Sequence, residues 1–111
     1  MEHGKAIERV WAAIEAERDF AVELTRALVR IPTVNPKFVA DPALNKEPEH
    51  QAYLAGVLAE LGFATELLEA EPGRPNLVGK WPGREERSLI LCGHVDVVPE
   101  GERALWTHDP F

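Results

Sequence analysis

Apolar positions recur along the first half of the chain with a helical period and along the second half in short runs. Ile7, Val10, Trp11 and Ile14 fall at i, i+3, i+4 and i+7, the spacing of one apolar helix face. The phase breaks at Glu15 to Arg18, and a second stripe starts with Phe20, Leu24, Ala27, Leu28 and Ile31. Residues 5–30 therefore read as two helical segments or as one kinked helix, with Asp19 placed as an N-cap for the second stripe. Pro32 ends it, because a proline disfavours helical geometry in the residue before it. A segment with four prolines, PTVNPKFVADPALNKEP (32–48), shows little periodicity and reads as an ordered loop, either a surface connection or a loop packed near a site. Pro48 suits the first turn of another helix, 48–61, with Leu54, Val57, Leu58 and Leu61 as its stripe and Gly62 as the residue just past its end.

From Phe63 the pattern changes to short runs bounded by turn residues. The sequence predicts strands at 63–71, 76–81 and 88–98, separated by EPGRP and by the charged turn PGREER. The last run, SLILCGHVDVV, is apolar at consecutive positions, as expected of a central strand covered on both faces. Three helical segments followed by three strands predict an α/β architecture with helices packed on a mixed sheet.

Composition narrows the partners. The chain has 111 residues, enough for one small core, and a formal net charge of −7. That balance and the lack of a Lys/Arg stripe argue against a nucleic-acid partner. No apolar run approaches the roughly 18 residues that span a bilayer, so no membrane association is expected. MEHGKAIERV lacks the apolar core of a secretory signal, and a single cysteine, Cys92, can form no intrachain disulfide. Both points favour the cytoplasm.

The chemistry concentrates where the last apolar run ends. In a strand, residues i and i+2 share a face about 6.6 Å apart along the chain, so His94 and Asp96 lie on one side. A carboxylate so placed can accept a hydrogen bond from one imidazole nitrogen and leave the other as a fixed, basic metal ligand. The competing explanation is a strand-end histidine followed by a turn-forming aspartate. Cys92 shares their parity, yet a free cysteine in an apolar strand is usually a small core residue. Trp11 reads as core, His3 and His50 as solvated, His108 as a loop residue, and Glu66 to Glu71 as a solvated strand edge.

Several stretches occur in the order seen in a known family: IPTVNP (31–36), LGF (61–63), GRPNLVGKWPG (73–83), GHVDVVPEGE (93–102) and LWTHDPF (105–111). In these the chain resembles the zinc-dependent hydrolases that include acetylornithine deacetylase, succinyl-diaminopimelate desuccinylase, aminoacylase and carboxypeptidase G. The resemblance implies that residues 1–111 are the N-terminal part of a zinc-peptidase-like catalytic domain, incomplete in this chain. It implies His94 as a metal ligand and Asp96 as the catalytic carboxylate that orients it. Trp106 and Asp109-Pro110-Phe111 match the segment that leads into the family's next strands. The remaining ligands and a glutamate general base are expected further along, with two zinc ions in the complete protein and cobalt or manganese as substitutes. The implied reaction is hydrolysis of an amide bond in a small N-acyl amino acid or short peptide, and the full-length protein is allowed to form a homodimer. By that reading the 111 residues alone are inactive. The rival expectation is a non-catalytic binding or assembly module that keeps this part of the fold.

Overall fold

A computed structural model describes residues 2–84 and 86–111. The chain forms two compact units, residues 1–30 and 31–111. The first holds α1 (Glu2–Ala16) and α2 (Arg18–Val29). Of the two readings offered by the sequence, two separate helices is the one observed, broken at Glu17. Asp19 does not cap α2; it lies in the first turn behind Glu17, which makes no side-chain capping bond. An acid there still faces the positive end of the helix dipole. Trp11 is not a core residue, since it is 66% exposed, and Ile7, Val10 and Ile14 on the same stripe are exposed too.

The second unit contains α3 (Glu47–Glu60), β1 (Ala64–Glu71) and β2 (Arg74–Lys80), with one 3-10 turn at Arg103–Leu105. Helix α3 starts one residue ahead of Pro48, which needs no amide partner in a first turn. It ends as Gly62 requires. Gly62 adopts a φ of 95°, its amide donates to the Ala59 carbonyl at 2.9 Å, and the Phe63 amide donates to Leu58 at 2.9 Å. These two bonds form a Schellman cap that turns the chain directly into β1.

β1 and β2 form an antiparallel hairpin in which Leu67 faces Leu77, with an irregularity between Glu69 and Glu71. Pro72 and Gly73 make its tip, Gly73 at a φ of 77°. α3 packs on the hairpin, closest to β2. The approach is tight at Gly79, where a Cβ atom would come within 3.0 Å of Leu58 and 3.4 Å of Phe63. The rings of Phe63 and Trp81 meet at 5.2 Å, tilted by 59°.

The α/β class therefore holds, but the mixed sheet does not. The described sheet has two strands, both antiparallel. The run predicted as a third strand, 88–98, forms no ladder; Leu89, Ile90 and Leu91 are 83%, 84% and 90% exposed. Apolar residues favour a strand only where a neighbouring strand completes the hydrogen bonds; β2 lines a groove with 89–93 but is not paired to it among the described residues. Cys92 is exposed with them rather than packed in a core. Of the charged turn PGREER, Glu85 falls outside the described residues.

The proline-rich segment is the centre of this unit, not a loose connection. Val34 is fully buried. Thr33 pairs with Asn45 in one antiparallel bridge, and Val34 pairs with Val97 in one parallel bridge. Asn45 closes the loop on itself by donating to the Val34 and Val39 carbonyls at 2.8 and 2.9 Å. The loop thus satisfies its own buried polar groups, which lets it sit inside the fold.

Candidate active site

The end of the last apolar run is set in place by the loop. Val97 donates its amide to the Thr33 carbonyl at 3.0 Å, Asn35 donates to the Val97 carbonyl at 2.9 Å, and Thr33 Oγ1 donates to the Val95 carbonyl at 2.6 Å. Three bonds thus bracket Asp96 and leave His94 just beyond them. His94 and Asp96 come together as the i, i+2 spacing predicts, although 94–96 is not part of a ladder.

The histidine is largely in solvent, with 85% of its side chain exposed. Its Nδ1 lies 2.9 Å from the backbone oxygen of Asp96 and 3.3 Å from Asp96 Oδ1. Both neighbours are acceptors, so the proton belongs on Nδ1. The sequence pointed to the carboxylate as acceptor; the shorter contact is to the aspartate's own carbonyl, with the carboxylate oxygen alongside. In either case Nε2 keeps a free lone pair, and it makes no hydrogen bond among the described residues.

Asp96 is part-buried and held from the other side. Asn35 Nδ2 donates to Oδ2 at 3.0 Å, and Arg74 Nη2 is 4.0 Å from the same oxygen. The Asn35 hydrogen bond is the main reason the Asp96 carboxyl lies below the usual carboxylate range, with partial burial opposing it and the charge of His94 adding to it. Arg74, the first residue of β2, is fixed in turn by Glu47 in the first turn of α3. Its Nε is 3.1 Å from both Glu47 oxygens and its Nη2 is 2.8 Å from Oε1. Glu47 is only 6% exposed. That hydrogen-bonded pairing also raises the Arg74 pKa, so the guanidinium stays charged.

A cavity of about 300 Å³ opens among these groups, lined by Gln51, Arg74, Asn76, Gly93, His94 and Asp96 with neighbouring backbone. The residues that sequence reasoning missed here are Asn35, Glu47 and Arg74. Each stood in a segment that reads as loop, cap or turn, and no local pattern announces an ion pair between residues 27 apart. His3 and His108 are exposed, as is the run Glu66 to Glu71. His50 is not solvated; it is 7% exposed on the inner side of α3.

As a metal site the donor set is one imidazole nitrogen. A histidine with Nδ1 committed and Nε2 free is a competent zinc ligand. Among the described residues no three His, Cys, Asp or Glu side chains converge. Glu47 is bound to Arg74, and both Asp96 oxygens have partners. These residues fit one corner of a zinc centre and not a whole one.

The chain is similar to known hydrolases. The chain is 39% identical over 101 residues, 88% of its length, to an N-formyl-4-amino-5-aminomethyl-2-methylpyrimidine deformylase of Bacillus subtilis. It is 42% identical over 91 residues, 79% of its length, to a succinyl-diaminopimelate desuccinylase of Methylobacterium sp.. The chain belongs to the same family as these hydrolases. A further desuccinylase of the family, from Paracoccus denitrificans, is 37% identical over 89 residues. The matched parts amount to only 22%, 21% and 21% of these three relatives' own lengths. No family model matches the chain, and no solved structure does. The desuccinylase–deformylase kinship makes the chain part of an enzyme family. No helix of the described residues is long and apolar enough to cross a membrane.

Proposed function

We propose that the full-length protein hydrolyses the amide bond of a small N-acylated amino compound, an N-acyl amino acid or short peptide, and that this chain supplies the N-terminal part of the catalytic domain. The observation that carries the proposal is His94 at the rim of the cavity, with Nδ1 against Asp96 and Nε2 without a hydrogen bond among the described residues. The relatives' names support the reaction class: one is named for removing the succinyl group of succinyl-diaminopimelate, another for removing an N-formyl group.

In this reading His94 Nε2 would hold zinc, and Asp96 would keep the imidazole in the ligating tautomer. When bound, zinc polarises a carbonyl oxygen and lowers the pKa of water toward about 7. Proton transfer to the leaving nitrogen calls for a carboxylate. Glu47, the buried carboxylate beside the cavity, is committed to Arg74, so we assign that role to a residue outside this chain. Two zinc ions, a homodimer and a cytoplasmic location belong to the same reading.

The test is metal content in the full-length protein. His94→Ala is expected to lose one equivalent of zinc by elemental analysis and most of the activity, since a zinc site seldom survives loss of a protein ligand. Asp96→Ala is expected to weaken zinc affinity or turnover about 10–100-fold, the size of losing a partner behind a ligand. Full zinc occupancy in the His94 variant would falsify the assignment.

A further inference from the structure

We infer that Asn35 and Arg74 are positioning residues for the Asp96–His94 pair, with Glu47 holding Arg74 in place; the inference rests on the function proposed above. The geometry divides the two oxygens of one carboxylate. Oδ2 receives Asn35 at 3.0 Å and faces Arg74 at 4.0 Å, while Oδ1 faces His94 Nδ1 at 3.3 Å. A carboxylate held at one oxygen cannot rotate freely, so the other is presented to the imidazole in one orientation. The groups come from three separate places in the fold, the 31–46 loop, the start of α3 and the start of β2. Only the folded unit brings them to Asp96.

Arg74 is itself over-determined. Glu47 takes its Nε and Nη2, and Glu71 lies 3.4 Å from its Nη1. A planar guanidinium bound along one edge has a fixed plane. That plane places Nη2 between Glu47 and Asp96. The pair therefore transmits the position of α3 to the aspartate, and through it to His94.

The competing explanation is purely structural: Glu47–Arg74 staples α3 to the hairpin, and Asn35 only shapes its turn. Two variants of the full-length protein separate these. Asn35→Asp keeps the oxygen that accepts the Lys37 amide at 2.9 Å, and so keeps the turn. It removes the N–H donor to Asp96 and sets a like charge beside it. Glu47→Gln with Arg74→Gln replaces the ion pair by two neutral amides, so no buried charge is left unpaired and no cation stands near Asp96. Arg74→Gln alone serves as the reference that leaves Glu47 unpaired.

Zinc affinity is measured by competition with a chelator, and kcat and KM separately. We expect Asn35→Asp and the double variant to bind zinc about 10–100-fold more weakly and to lose kcat to a similar degree, with KM little changed. The double variant is expected to regain the melting temperature that Arg74→Gln loses, but not the zinc affinity. Wild-type zinc affinity and kcat in both variants, with His94→Ala still losing its metal, overturns the positioning role and leaves the proposed function standing. Retention of full zinc by His94→Ala overturns both.

Discussion

His50 and His94 are imidazoles of one chain placed in opposite settings, and the contrast has a measurable consequence. Burial on α3 pushes the His50 pKa below its ordinary value, with neighbouring Gln51 opposing part of the shift. The unfolded chain takes up that proton near pH 6.5, the folded chain only at lower pH. Between those points the unfolded state binds more protons, so His50's contribution is intact above about pH 6.5 and is lost as the pH falls through the folded value. We predict that His50→Gln reduces the loss of stability between roughly pH 7.5 and 5.5, read as the urea midpoint at each pH. Equal acid sensitivity in variant and parent would show that His50 is not the group involved. The sequence suggested a solvated His50 because charged residues flank it at 47 and 49. It could not show that Glu47 turns inward to Arg74, which makes that face of the helix an interior one.

At the scale of elements, what was legible depended on how local the cause was. α3 and the hairpin were readable within a residue or two, because Pro48, Gly62 and Pro72-Gly73 act on their immediate neighbours. The third strand was not, because a ladder needs a partner, and partner availability is written nowhere in SLILCGHVDVV. The candidate site was half legible. His94 and Asp96 share a two-residue spacing that any strand-like backbone honours. Asn35, Glu47 and Arg74 reach them only through the loop's bridges and the packing of α3. The Schellman cap gives a direct test of local control. Gly62 sits at a φ of 95°, and an added Cβ would come within 3.0 Å of the Trp81 ring. Gly62→Ala is expected to cost about 1–2 kcal/mol from the left-handed backbone alone, with the ring contact adding to it. Urea unfolding checks this, and a variant as stable as the parent would mean that the helix end relaxes elsewhere.

For the whole molecule, the chain spans about a fifth of the length of the curated relatives it matches. One imidazole with a free nitrogen is what the described residues offer a metal, whereas a catalytic zinc normally takes three protein ligands. We therefore predict that residues 1–111, purified and supplied with zinc, hydrolyse neither N-acyl amino acids nor dipeptides and bind zinc weakly in a calorimetric titration. Turnover above background, or tight binding of two ions per chain, would show that the centre is complete without further ligands.

The bare run at Leu89, Ile90 and Leu91 sets how such a piece behaves in a tube. Ser88 to Cys92 carries no charge and no proline, and its backbone groups have no ladder partner among the described residues. Identical copies can stack such segments in register, each completing the hydrogen bonds of the last, as in a cross-β fibril. Arg84, Glu86 and Arg87 stand immediately before it, where charged residues act as gatekeepers against that stacking. The isolated chain is thus a candidate for self-assembly whose rate rises with salt, because added ions screen the repulsion between copies that each carry a net charge of −7.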